Sequence, residues 1–307
     1  MTVDAVRLVE VGPRDGLQNE PQALPVEVRV ELIARLVDAG LRTLEAGAFV
    51  SPRWVPQMQG SDEVIRQLET HPGVTYTALV PNLQGLERAL AVGCREVAVF
   101  AAASEAFSQR NINCSIAESM ARFEPLLAKA KEEGVAVRGY VSCVLGCPFS
   151  SEVPRADVVK VARDLYAMGC YEISLGDTVG LGTPGKTREL IRACAAEVPV
   201  AALAGHFHDT YGMAVANVMA ALEEGVRTFD SSVSGLGGCP YLPGATGNVA
   251  TEELVYLFDG LGMSTGVNLP ALLQAGAFVD AALSRLSASR VAIALRNKAQ
   301  RSLRPND

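Results

Sequence analysis

The sequence lacks any apolar run long enough to span a bilayer, which takes about 20 residues, and this excludes an integral helical membrane protein. It also lacks positive charge: the net charge is -7, with charged residues at 20%, so there is no basic footprint for nucleic acid. No Cys-x-x-Cys pair occurs; Cys143-Val-Leu-Gly-Cys147 has the wrong spacing for a redox or zinc motif. Seven cysteines, an odd number in a chain of 307 residues, fit a reducing cytoplasm better than a disulfide framework. The first strand begins almost at once, leaving no room for a leader, and Arg304-Pro305-Asn306-Asp307 spells no retention, peroxisomal or lipidation signal. The expectation is a cytoplasmic protein. No Pro/Gly/Ser linker divides the chain, so it reads as one domain over 1–307, with 262–307 a helical extension packed on it.

What is present is an alternation. Short apolar runs at Val6–Val11, Thr43–Ala46, Thr75–Leu79, Glu96–Ala101, Ala136–Ser142, Tyr171–Leu175, Ala202–His206 and Arg227–Ser231 read as strands buried on both faces. Between them lie amphipathic stretches at Val28–Ala39, Asn82–Val92, Ser115–Glu133, Val153–Met168, Thr183–Glu197 and Met213–Glu224, most of them stopped by a glycine. Thr251–Phe258 closes the last unit, and Leu269–Leu303 reads as two further helices. The second of these is rich in Arg and Lys, an ordinary solvated face. Eight strands in this rhythm predict an α/β fold, a (β/α)8 barrel with additional C-terminal helices.

In such a barrel the polar residues at the strand ends converge on one mouth. Only three histidines occur, and two of them, His206 and His208, stand two apart and so share a face at the end of strand seven. Arg14 and Asp15 follow strand one, beyond the breaker Gly12-Pro13. Glu45 ends strand two, Asp177 follows strand six, and Asn248 lies after strand eight. Each has a plain reading alone: a hydrogen-bonded histidine pair, an ion pair, a structural carboxylate, a turn asparagine. Together, two imidazoles, a carboxylate and an amide carbonyl make a mixed N/O set that suits Mg²⁺ or Mn²⁺ better than Zn²⁺ or Co²⁺. Cys94, Cys114, Cys170 and Cys194 sit in or beside apolar runs and read as core. Cys239 differs, because its glycine-rich stretch Gly235–Tyr241 lets a thiol reach a ligand and act as an acid.

The stretches Glu10-Val-Gly-Pro-Arg-Asp-Gly-Leu-Gln-Asn-Glu20, Phe49–Met58, Asn111-Ile-Asn-Cys-Ser115, Ser174-Leu-Gly-Asp-Thr178, His206-Phe-His-Asp-Thr-Tyr-Gly212, Ser234–Tyr241 and Gly247–Glu252 carry a resemblance. The chain resembles the 3-hydroxy-3-methylglutaryl-CoA lyase family, within the wider group of TIM-barrel metal-dependent lyases and Claisen-type enzymes. The Arg-Asp-Gly and His-x-His elements specify only the wider group; the Cys239 loop is specific to the lyases. The resemblance implies retro-Claisen cleavage of HMG-CoA to acetyl-CoA and acetoacetate, in leucine degradation or ketone body formation, by a homodimer. It implies a divalent cation on Asp15, His206, His208 and Asn248. It implies Asp15 or His206 as base, Arg14 as partner of the enolate charge, Cys239 as proton donor to the enolate carbon, and Glu45 orienting Arg14 or metal waters. Asp177 and Glu252 are implied as positioning groups, and Gln18, Arg110, Asn111, Ser174 and Thr178 as substrate or CoA contacts.

Two departures stand out. Ala48 occupies a position where many members carry Ser, which opens the question of the acyl group, and no cysteine lies in the C-terminal tail. The competing expectations are a lyase on a related 3-hydroxyacyl-CoA, a metal-dependent aldolase or Claisen condensing enzyme, and a CoA- or metal-binding protein without turnover.

Overall fold

The computed structural model describes residues 4–238 and 247–302, so Cys239 lies outside the described residues. Eight strands, β1 (Arg7–Glu10), β2 (Thr43–Ala48), β3 (Thr75–Leu79), β4 (Glu96–Ala102), β5 (Ala136–Ser142), β6 (Glu172–Asp177), β7 (Leu203–Phe207) and β8 (Thr228–Ser231), pair in parallel in chain order. β8 returns to β1, with Val9 opposite Asp230, and closes the expected barrel.

Around it run α1 (Val26–Asp38), α2 (Ser61–Gln67), α3 (Leu83–Ala91), α4 (Glu105–Ile112), α5 (Ile116–Glu132), α6 (Arg155–Ala167), α7 (Pro184–Ala195), α8 (Ala214–Glu223) and α9 (Thr251–Gly260). The helices form for local reasons. α5 opens on a capping box in which Ser115 and Glu118 bond each other's backbone N–H, and Pro184 supplies the first residue of α7. Gly40 follows the C-cap of α1, Ala39; its φ of 106° suits glycine, and a Cβ there would lie 2.2 Å from the Gly266 carbonyl oxygen. The apolar stripes Leu32–Ile33–Leu36 of α1 and Val158–Val161–Leu165 of α6 are buried on the barrel, each such side chain worth about 1.5–3 kcal/mol. The short helices α2 and α4 were not anticipated: at 7 and 8 residues they are too brief to show a helical period.

Several charged side chains are buried within the barrel, among them Arg138, Glu172 and Asp230. Arg138 of β5 reaches across to Asp230 of β8 (2.7 Å) and also holds Glu172 of β6 (2.7 Å). Arg7 reaches Glu172 from the other side. Such a network tolerates burial only because each charge has partners.

The C-terminal helices α10 (Leu269–Ala282) and α11 (Arg290–Ser302) follow, with α10 packed against α1 and α9. α10 anchors the turn after β8. Ser234, at a φ of 58° that non-glycine residues avoid, donates its hydroxyl to Asp280 (2.7 Å) and its N–H to Glu252 (3.0 Å). Burial pushes the Glu252 carboxyl up from 4.5 to about 8, against the pull of the Ser234 N–H. Below pH 4.5 the folded and unfolded chains both keep this proton. Between pH 4.5 and about 8 only the folded chain does, so its stability falls as pH rises. Glu252→Gln removes that loss. Urea unfolding over this window is expected to show the variant gaining on wild type by about 1 kcal/mol per pH unit; a pH-independent difference contradicts it.

Candidate active site

Gly12–Gly16 forms a single π-helical turn, closed by the Gly16 N–H on the Val11 carbonyl at 3.1 Å. Gly16 allows it to sit against the turn after β8, since a Cβ there would meet Leu236 Cβ at 2.7 Å. This turn aims Arg14 and Asp15 over the barrel mouth. Arg14 donates to Glu45 through Nε (2.6 Å) and to Asp15 through Nη1 (2.9 Å), and its guanidinium lies 5.7 Å from the centre of the Tyr140 ring. Burial disfavours the Arg14 charge, but Glu45 and Asp15 overcome this and keep it protonated. Burial raises Glu45 despite Arg14.

His206 and His208 leave β7 with their rings together, Nε2 to Nε2 at 3.3 Å, and Asp15 Oδ2 is 3.9 Å from His206 Nε2. Beyond the glycine-rich segment the chain returns to pair with this exit: the Val249 N–H reaches the Phe207 carbonyl (2.9 Å) and the Asp209 N–H the Gly247 carbonyl (3.1 Å). Asn248 thereby comes to Asp15, meeting Oδ2 through its amide nitrogen at 2.8 Å.

One donor atom each from Asp15, His206 and His208 falls within 4.8 Å of the others, and among the described residues no other such group of His, Cys, Asp and Glu comes together. Octahedral Mg²⁺ places adjacent ligand atoms about 3 Å apart and opposite ones about 4.2 Å apart, and the 3.3 Å between the two Nε2 atoms and the 3.9 Å from Asp15 Oδ2 to His206 Nε2 fall in that range. The charges fit as well. Burial pushes Asp15 up, but Arg14, the two histidines and Asn248 hold its carboxyl below the usual range. Burial, with His206 alongside, lowers His208 to about 4, so its ring is neutral at pH 7, and its buried Nδ1 meets no partner among the described residues.

A family model described as HMGL-like matches residues 5–279. The chain belongs to the HMGL-like family. It is 65% identical over 299 residues to the hydroxymethylglutaryl-CoA lyase of Pseudomonas mevalonii, covering 97% of this chain and 99% of that one. It is 60% identical over 294 residues to a 3-hydroxy-3-isohexenylglutaryl-CoA/hydroxymethylglutaryl-CoA lyase of Pseudomonas aeruginosa, covering 96% and 98%. A crystal structure of hydroxymethylglutaryl-CoA lyase from Pseudomonas aeruginosa superimposes with a TM-score of 0.94 at 59% identity, covering 97% of this chain and all of that one.

In this HMGL-like chain the other residues singled out from sequence lie at varying remove from the cluster. Glu45 sits inside β2, not at its end, because the strand runs on to Ala48 past a register shift between Glu45 and Gly47. Asp177 is the last residue of β6; its carboxylate accepts the N–H groups of Leu181 and Gly182, and burial raises it to about 6. Thr178 accepts the Cys143 N–H at 2.8 Å, tying the loops after β5 and β6. Ser174 is buried in the barrel, donating to Asp230 at 2.7 Å. Glu252 is buried behind the β8 turn against Ser234 and Gly276. Gln18 follows the π turn, and its buried Oε1 meets no partner among the described residues. Arg110 and Asn111 lie on α4; Arg110 is exposed and 4.9 Å from the Phe149 ring centre.

Sequence reasoning passed over Tyr140 and Asp230. Tyr140 stands edge-on to His206 and takes Arg14 and Arg138 against its ring. Asp230 bonds His206 Nδ1 at 3.1 Å. The signal was there: a charged residue inside an otherwise buried strand needs a partner across the barrel.

Proposed function

We propose that this protein cleaves 3-hydroxy-3-methylglutaryl-CoA to acetyl-CoA and acetoacetate, using Mg²⁺ or Mn²⁺ held by Asp15, His206 and His208. The observation that carries this is the meeting of those three donors beside Arg14, in a chain 65% identical to a lyase of that name. A bound divalent cation supplies Lewis acidity to the substrate oxygens. Asn248, whose amide nitrogen meets Asp15 at 2.8 Å, would offer its Oδ1 as a further ligand. Asp15 or His206 would take the C3 hydroxyl proton. The C2–C3 bond then breaks, its electron pair passing to C2 of the thioester enolate while C3 becomes the ketone of acetoacetate. Arg14, pinned by Glu45, faces the enolate oxygen with a fixed positive charge. The Cys239 thiol gives its proton to the enolate carbon.

The test is direct. Protein stripped with a chelator is inactive; Mg²⁺ or Mn²⁺ restores release of both products in equal amounts. Turnover indifferent to chelation, or one product without the other, overturns the reading. The relative named also for isohexenylglutaryl-CoA favours a second reading, a lyase accepting longer 3-hydroxyacyl groups. A panel of such thioesters compared by kcat/KM separates the two.

A further inference from the structure

We propose that Asp230 is the positioning residue that fixes His206 in its Nδ1–H form and so aims a bare Nε2 at Asp15 and His208; this rests on the divalent-cation reading above. Asp230 is the register partner of His206 across the β7–β8 ladder and is 2% exposed. Its other hydrogen bonds all come from donors: Arg138 Nη2 to Oδ1 at 2.7 Å, Arg138 Nη1 to Oδ2 at 3.2 Å and Ser174 Oγ to Oδ2 at 2.7 Å. Arg138 is itself braced by Glu172 at 2.7 Å. A carboxylate gripped by a guanidinium fork is an anion and can only accept. The bond to His206 Nδ1 at 3.1 Å therefore runs one way, with Nδ1–H donating.

A neutral imidazole carries a single N–H, so Nε2 keeps its lone pair where it faces His208 Nε2 at 3.3 Å. The opposite tautomer would point a proton into the ligand set. Carboxylates behind metal-bound histidines set ring orientation in this way. His208 has no counterpart, since its Nδ1 meets no partner among the described residues.

Long-range ¹H–¹⁵N spectra of metal-free protein read the tautomer, and three histidines make the assignment short work. Followed to the pH at which the ring is neutral, His206 is expected to carry its proton on Nδ1; a proton on Nε2 overturns the proposal. In Asp230→Asn the amide can donate toward Nδ1, so the proton moves to Nε2. Mn²⁺ binding measured by calorimetry then weakens by about 10–100-fold. Equal Mn²⁺ affinity in variant and wild type overturns the proposal alone. Wild-type protein that binds no Mn²⁺ overturns the cation reading, while the metal-free spectrum still decides the tautomer. Because the substitution also loosens Arg138, that spectrum carries the decision if the variant does not fold.

Discussion

Arg14→Met is expected to lower kcat by about 10³ while KM changes several-fold at most. Removing one preorganised donor from a buried oxyanion site costs about 10²–10³, and Arg14 supplies a full charge. Its guanidinium is committed before substrate arrives, 2.6 Å from Glu45, 2.9 Å from Asp15 and 5.7 Å from the Tyr140 ring centre, so it needs no rearrangement as the enolate forms. The fold survives for a specific reason. Glu45 is already raised by burial, and without Arg14 it takes a proton instead of standing as a bare buried charge. Steady-state kinetics with thermal melting checks both halves. Arg14→Lys falls between, because a single ammonium cannot span the two carboxylates as a fork does. Near-normal turnover in the methionine variant removes Arg14 from the enolate step.

Cys239→Ser is expected to lower kcat by about 10²–10⁴, the range for a positioned proton donor, while Mn²⁺ affinity stays near wild type. The described residues on either side of its segment lie beside the candidate site. The chain leaves through Gly237 and returns at Gly247, where a Cβ would touch the Gly237 carbonyl carbon at 2.7 Å. The Leu236 carbonyl also accepts from the Asn248 amide at 3.3 Å, and the same amide meets Asp15. Both ends of the segment thus stand beside Asn248 and Asp15. An unchanged kcat excludes the thiol from protonation, and a matching loss of Mn²⁺ binding makes it a ligand instead.

Much of this arrangement is legible in the sequence because it follows local rules. Buried strands announce themselves as short apolar runs, and the barrel follows from their number and from the helices between them. His206 and His208 pair because alternate strand residues share a face. What is hidden depends on contacts across the barrel. Glu45 reads as a strand end because nothing local marks the register shift after it. Arg138, Tyr140 and Asp230 interrupt apolar runs without saying which distant residue completes them. The motifs around Ser174 and Glu252 do not show where their hydrogen bonds go: Ser174 to the carboxylate behind His206, and Glu252 to the turn after β8. Motif identity records that a residue matters, and only geometry tells what it touches.

The central claim is that Asp15, His206 and His208 hold one divalent cation, and Mn²⁺ titration followed by electron paramagnetic resonance tests it most directly. Wild-type protein is expected to take up one tightly bound Mn²⁺ per chain, displaced by Mg²⁺, with Asp15→Ala and His208→Ala each abolishing that uptake in chains that still melt cooperatively. Undiminished binding of Mn²⁺ by folded Asp15→Ala or His208→Ala protein would contradict the account.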